Sequence, residues 1–536
     1  MPPKKMDYWI PTTPYICILL LGGLLISSTY TVKSQEAKRT FPGPTQLPLI
    51  GRVHDLPRKA TWLKFYEWAA KYGPIYQTSM MGQKFVIISD EEIARDLLHK
   101  RADQTSGRAQ IRALLNHRQD PTYFALQDRQ ETWRMQRKWV HAALSASYQQ
   151  HFHGHLEDEI RRWLMTLLVD PAEFHSNTRE LTGRAMARLT WDDATQGRQH
   201  ADEALETLTN MSIHGSLANT APFLWHLGDF IGYNPWKKYE IEREGKLKEH
   251  WLQNFRTARR RYLDCNLTDS TWSHRYFDQL SKAGNVTLEQ SEKEEEVAAC
   301  MLGFQCMVGI ITVATPLMYL MMALTLHPEW QDKVQEEIEH VCGQRLPGLQ
   351  DYAQLPTLRA CIKEALRWRS SVPLGVPHRC EETMEYEGVL LEKDTIVMSC
   401  EWNLNRDPKN FPEPESYLPS RWLSPDFPTY LSPLTRHPNL REGRAMHTFG
   451  WGRRVCLGQQ LADDELFLAA GAVCWGFRMR PKRNPSTGEE VEIDTMATNS
   501  NVILEPLPWQ MEFLPRGGRV DAMGKEKGDV REKLGV

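Results

Sequence analysis

The sequence lacks the marks of several common classes. Its ten cysteines include no Cys-x-x-Cys pair, which excludes a zinc ribbon and fits no disulfide scaffold. Neither sign of charge predominates: 65 Lys and Arg against 68 Asp and Glu leave a net charge of −3. A general nucleic-acid binder, which needs a basic face, is not expected. With 41% hydrophobic and 25% charged residues, the chain is not mostly disordered. A mean hydropathy of −0.52 excludes a polytopic membrane protein. Beyond Gly51 there is no Gly/Ser linker, internal repeat or low-complexity tract. The absence of a linker favours one large domain over the several that 536 residues would suggest by length alone.

One long apolar run is present. No residue from Tyr8 to Val32 is charged, and its centre, Ile16 to Ile26, is almost wholly aliphatic. A bilayer is spanned by about 20 such residues, so residues 8–32 are expected to form a single transmembrane helix after a flank at 1–7. The rival reading is a cleaved signal peptide, but the run is long and no small-x-small site precedes Lys33. Lys4 and Lys5 against Lys33, Lys38 and Arg39 leave orientation nearly undecided by charge. Pro42, Gly43, Pro44 and Pro48 make residues 33–51 a stiff, non-helical connector. Residues 52–515 form the body. Gly517, Gly518, Gly524 and Gly528 mark residues 516–536 as a disordered tail.

Within the body, helical periodicity predicts helices over 130–145, 155–169, 239–262, 295–326 and 329–341, the last stopped by Gly343. The acidic run Glu292–Glu296 suits the start of the central helix. Strand signals are short, at 85–88 and 395–398. The fold class is mainly α with small β-sheets.

The strongest chemical signal is Phe449-Gly450-Trp451-Gly452-Arg453-Arg454-Val455-Cys456-Leu457-Gly458, followed by a helix-like stretch to Cys474. It reads as a tight loop delivering a cysteine to a helix N-terminus. Gly452 permits the turn, and the helix start favours a thiolate. Gly458 leaves room for something flat, and Arg454 can pair with an anionic group of the same ligand. A thiolate with an arginine for a propionate suits an iron porphyrin. The opposing reading is a buried packing cysteine, the usual fate of a free Cys.

This loop resembles the haem-binding signature of the cytochrome P450 family, FxxGxRxCxG, and further matches follow in family order. Glu364 and Arg367 match ExxR, 92 residues before Cys456, with Arg421 as the third member. Trp133 and Arg137 match WxxxR, which in the family reaches a haem propionate. His378, in Pro377-His378-Arg379, lies where the family meets a propionate. The resemblance implies the P450 fold, haem b with Cys456 as axial thiolate, and oxidation of a hydrophobic small molecule. It implies an endoplasmic reticulum membrane protein, single-pass, with its domain on the cytosolic side. The sequons at Asn210, Asn266 and Asn285 are then unused. The other nine cysteines are expected to be packing residues. Only 80 residues follow Cys456, too few for a fused flavin reductase, so electrons are expected from a separate NADPH-cytochrome reductase. Arg134, Lys138, Arg441, Arg444, His447 and Arg453 are the expected basic docking patch. The wording RWLSP, WNLNRDP and FGWGRRVCLGQQLAD is similar to secondary-metabolite enzymes of filamentous fungi.

The chain departs from the family in its central helix. The family's AGxDT falls on Val308-Gly309-Ile310-Ile311-Thr312, so Ile311 stands where an acid would be. In the family, the acid and the alcohol carry protons to the oxygen being activated. Thr312 is the expected remaining catalytic group. Pro316 has no N–H for the Thr312 carbonyl, which predicts a kink there. The missing acid keeps open a haem-thiolate isomerase or dehydratase that does not activate O2. A non-catalytic haem or ligand carrier is the remaining alternative.

Overall fold

A computed structural model describes residues 39–520 except 49, 150–151, 213–214, 221, 285–287, 289 and 431–446. The expected membrane helix and residues 521–536 lie outside the described residues. Among those described, the helices of eleven residues or more are α1 Thr61–Tyr72, α2 Glu131–Gln149, α3 His153–Val169, α4 Phe174–Trp191, α5 Gly197–Met211, α6 Pro235–Leu263, α7 Trp272–Lys282, α8 Glu292–Val308, α9 Ile311–Leu326, α10 Pro328–Cys342, α11 Pro356–Trp368 and α12 Gln459–Gly476. The strands are β1 Ile75–Met80, β2 Gln83–Ile88, β3 Gly107–Arg108, β4 His378–Arg379, β5 Met384–Tyr386, β6 Val389–Leu391, β7 Ile396–Ser399, β8 Phe477–Pro481 and β9 Met511–Pro515. The architecture is mainly helical with small sheets, as the periodicity implies.

The two short strand signals prove to be neighbours. β2 and β7 pair in parallel, Phe85 opposite Ile396, inside a five-stranded sheet of order β1-β2-β7-β4-β3. At the far edge, Arg108 of β3 stands opposite His378 of β4. β5 with β6, and β8 with β9, form separate two-stranded sheets.

The main core is built from α3, α9, α10, α11 and α12. Leu466 to Trp475 are buried without interruption, so α12 is sheathed by its neighbours over much of its length. α2 is half-sunk: Trp133, Gln136, Val140, Ala143, Leu144 and Ser147 are buried at helical spacing, while Arg134, Met135 and Lys138 face out.

Glu364, Arg367 and Arg421, all fully buried, form one ionic knot. Arg367 donates to both oxygens of Glu364, at 3.0 and 2.7 Å. Arg421 Nε adds a bond of 3.1 Å, and Trp422 Nε1 one of 3.0 Å. The remaining guanidinium N–H groups reach the carbonyls of Asn405, Pro414 and Ser416, and of Pro412 and Glu413. α11 is thereby stitched to the irregular chain ahead of the cysteine loop.

The structure corrects three expectations. The central helix does not run unbroken from 295 to 326 with a kink at Thr312. It ends at Val308 and restarts at Ile311, leaving Pro316 inside α9. Gly309, a weak helix former, caps the first segment, and the Thr312 hydroxyl donates to the Val308 carbonyl at 2.5 Å across the break. The expected acidic start stands, with Ser291 and Glu294 forming a capping box. Second, the body begins before residue 52: the described part of the connector is non-helical, as expected, but it already packs on the body. Phe41 is buried, Gln77 N–H donates to the Pro42 carbonyl at 2.9 Å, and Gln46 bonds Ser79. Third, the body extends past 515: Arg516 N–H donates to the Gly476 carbonyl at 2.9 Å, and Arg519 and Val520 are buried.

Candidate functional site

The cysteine loop is set by its turns. Cys456 N–H donates to the Phe449 carbonyl at 2.9 Å, and Arg454 N–H to the Trp451 carbonyl at 3.0 Å. Gly452 has φ +52°, and a Cβ there would lie 2.2 Å from the Leu98 carbonyl oxygen. No side chain fits. Trp451 Nε1 donates to Ser399 Oγ at 3.1 Å, tying the loop to β7. Gly458 is the N-cap of α12, so Cys456 sits just outside a helix start, where the dipole favours an anion. A Cβ on Gly458 would meet only Cys456 Sγ, at 4.0 Å, so the backbone there is open to a flat ligand. Phe449 is half-buried beside it.

Cys456 is exposed, whereas Cys300, Cys306, Cys342, Cys361, Cys380, Cys400 and Cys474 are buried. Burial pushes the Cys306, Cys400 and Cys474 thiols up to about 12, so they stay neutral and inert. Cys265 is the correction to the packing expectation: it is exposed, just after α6. Cys17 lies outside the described residues.

Next to the loop, positive charge is concentrated where few counter-charges reach. Arg454 is buried, donates Nε–H to the Ser106 carbonyl at 2.8 Å and Nη2–H to the Gln127 carbonyl at 2.6 Å, and lies over the Trp133 ring. Burial, then Arg108 and Arg137, drag its pKa down to about 8. Arg108 falls to about 10 by burial and by Arg137. Arg137 donates to the Val455 carbonyl at 2.9 Å and is close enough to Cys456 to feel its charge. Arg454 Nη1 and Trp133 Nε1 are buried with no hydrogen-bond acceptor. Three mutually repelling guanidiniums and two unanswered N–H donors fit a ligand carrying two carboxylates. The two propionates of haem match that demand.

His378 stands beside this cluster but differs from expectation. Its Nδ1–H donates to the Thr105 carbonyl at 2.9 Å. Burial, with Arg108 and Arg454 nearby, pulls its pKa down to about 3. It is neutral, so the arginines carry the positive charge. Arg108 itself was not singled out by the sequence. Its only signal is its place opposite His378 across β3 and β4.

Thr312 is exposed at the first turn of α9. Its hydroxyl proton is held by Val308, so the oxygen presents lone pairs outward. Ile311, adjacent, is only 1% exposed and belongs to the apolar core with Leu461 and Ile503. The position of the missing acid is therefore dry.

The family model for cytochrome P450 matches residues 41–508. The chain belongs to the cytochrome P450 family. It is 29% identical to cytochrome P450 monooxygenase virE of Hypocrea virens, over 92% of this chain and 89% of the relative. It is 28% identical to cytochrome P450 monooxygenase COX1 of Coprinopsis cinerea, over 94% of this chain and 98% of the relative. It is 26% identical to cytochrome P450 monooxygenase fogE of Aspergillus ruber, over 96% and 95%. This P450 is thus an oxidoreductase of the monooxygenase family, whose members bind haem through a cysteine thiolate.

Of the expected docking residues of this P450, Arg134, Lys138 and Arg453 are exposed. His447 is not available: it is buried, stacked on Trp451 with ring centroids 4.6 Å apart. Arg441 and Arg444 lie outside the described residues.

Proposed function

We propose that this P450 is a membrane-anchored monooxygenase that takes electrons from an NADPH-cytochrome reductase and oxidises a hydrophobic small molecule in fungal secondary metabolism. The observation that carries the reading is the buried cluster of Arg108, Arg137, Arg454 and Trp133 beside the Cys456 loop, with its unanswered donors. In this reading Cys456 supplies the thiolate, and Arg108, Arg137, Arg454 and Trp133 hold the propionates. When bound, the haem supplies the oxygen chemistry, dividing O2 and delivering one oxygen atom to the substrate.

The chain's own residues then hold, dry and protonate. Phe449, Gly452 and Gly458 shape the loop and leave room for the ring. Arg137 and the start of α12 keep the Cys456 sulfur ionised. Thr312 accepts a hydrogen bond from a water on the pocket side and passes a proton inward when its own bond to Val308 is exchanged. Ile311 excludes water from the neighbouring turn, which favours an apolar substrate. Glu364, Arg367 and Arg421 position the chain that leads to the loop.

Residues 8–32 anchor the protein in the endoplasmic reticulum membrane with the domain on the cytosolic side. Exposed apolar side chains support a lipid contact: Phe230 is 89% exposed and Tyr233 63%, with Ile231 between them. Arg134, Lys138 and Arg453 offer positive charge to an acidic reductase.

The buried Ile311 also favours a second reading, a haem-thiolate isomerase or dehydratase that needs no proton relay. Metabolite profiling in a host with and without this chain, with reductase supplied or withheld, separates the two. The monooxygenase reading expects a product heavier by one oxygen atom, formed only with reductase, NADPH and O2. Product formed equally without NADPH would favour the second reading.

A further inference from the structure

Away from the cysteine loop, α5 and α6 bring three potential metal ligands together. His200 and Glu203 are three residues apart on α5 and so share a face. His250 meets them from α6. One donor atom from each of the three residues lies within 4.8 Å of the others. Glu203 lies between the rings: one carboxylate oxygen is 2.6 Å from His250 Nδ1, the other 3.5 Å from His200 Nδ1. The two imidazoles are stacked, with centroids 4.7 Å apart and planes at 19°.

The neighbours assign the His250 tautomer. Gln196 places its carbonyl oxygen 2.6 Å from Nε2, so Nε2 carries the proton. Gln199 points its amide nitrogen at Glu203 Oε1, 3.1 Å away, and at Nδ1, 3.2 Å away. Nδ1 faces that same carboxylate oxygen at 2.6 Å. At this distance a proton or a cation must lie between the nitrogen and the oxygen. A second proton on His250 would stack an imidazolium on the other ring, which is 2% exposed.

Independent signs point the same way. Glu203 Oε2, 3.5 Å from His200 Nδ1, is buried and makes no other hydrogen bond. Gln196 on the far nitrogen of His250 is the kind of carbonyl partner that orients a metal-bound imidazole. The cluster borders a cavity of about 510 Å³ lined by Gln196, Gln199, His250 and Gln253, which gives an ion and a water ligand access.

We propose that His200, Glu203 and His250 bind one divalent transition-metal ion, with zinc the best chemical match, and that the ion clamps α5 to α6. Two imidazoles, one carboxylate and a water complete a tetrahedral set. At zinc–ligand distances of about 2.0–2.2 Å the ligand atoms lie about 3.3 Å apart, so binding an ion requires one imidazole to turn out of the stack until both ring planes meet at the ion. The ion is structural and takes no part in redox chemistry.

The test uses the full-length, haem-loaded protein, treated with a chelator, dialysed against micromolar zinc sulfate and analysed for zinc and iron. The expected result is about one zinc per iron in the parent and little in His250→Ala and Glu203→Gln. Zinc should raise the unfolding temperature of the parent but not of the variants. A retained haem spectrum certifies that the variants are folded. If they lose haem, zinc-edge X-ray absorption on the parent alone decides: a nitrogen and oxygen shell with imidazole scattering is expected. Negligible zinc in the parent, equal zinc in parent and folded variants, or a sulfur ligand would overturn the proposal.

Discussion

Arg454 lies over the face of Trp133, its guanidinium carbon 4.5 Å from the ring centroid, and each side chain keeps one buried N–H without an acceptor. Such a pair is costly in the protein alone and favourable once an anion meets both donors. It links the helix-borne WxxxR match to the cysteine loop, so one anionic group can be held by two distant parts of the chain.

Trp133→Phe keeps the ring beneath Arg454 and removes only the Nε1 donor. A hydrogen bond to a charged group contributes about 1.5–3 kcal/mol, so haem release should quicken by about tenfold or more. Transfer of haem to a scavenging globin measures the rate. An unchanged rate would mean that Trp133 Nε1 does not hold the cofactor.

Glu364→Gln removes the charge that two buried guanidiniums share. Breaking a buried ion pair by removing one partner costs about 3–5 kcal/mol, because the remaining charge stays buried. The variant should lose most of its folded, haem-bound yield, read by haem absorbance per mole of chain. A loss of stability below about 1 kcal/mol would show that the knot is not what ties α11 to the loop region.

Glu465 on α12 is buried, one of its carboxylate oxygens has no partner, and burial with Asp464 nearby raises its pKa from 4.5 to about 8. The folded form therefore holds a proton that the unfolded chain has released. The stability tied to that proton is fully present below pH 4.5 and is lost as the pH rises towards 8. Across that window the slope is about 1.4 kcal/mol per pH unit. Glu465→Gln should match the parent near pH 5 and be more stable near pH 8, by unfolding temperature. A parallel pH dependence in the two proteins would contradict this.

Thr312→Ala removes the exposed hydroxyl but leaves the apolar turn intact. Proton delivery by a positioned group often contributes about 10²–10⁴-fold. The variant should yield less product per NADPH and more peroxide. Equal coupling in variant and parent would move proton supply to another source, such as a substrate hydroxyl. Ile311→Asp should not improve the enzyme, since a carboxylate in this core is forced towards its neutral form or costs about 1–3 kcal/mol.

Local patterns were legible where local physics decides. The stripe on α2, the acidic start of α8 and the glycine at the end of α10 all follow from spacing and capping. The parallel pairing of β2 with β7 joins residues some 300 apart in the chain, and only their apolar composition hinted at it. Arg108 was invisible because its role depends on register with His378 across a two-residue strand pair. The break falls at Gly309 and Ile310, just upstream of the kink that Pro316 predicts at Thr312, where Gly309 is the weak helix former. His447 read as a docking residue by charge, but an aromatic neighbour four residues on, Trp451, draws it into the core.

The most direct test of the whole account is the spectrum of the reduced, CO-bound protein in parent, Cys456→Ala and Cys474→Ala. The account predicts the strongly red-shifted Soret band of a thiolate-ligated haem in the parent and in Cys474→Ala, and its loss in Cys456→Ala. Retention of that band in Cys456→Ala would contradict it.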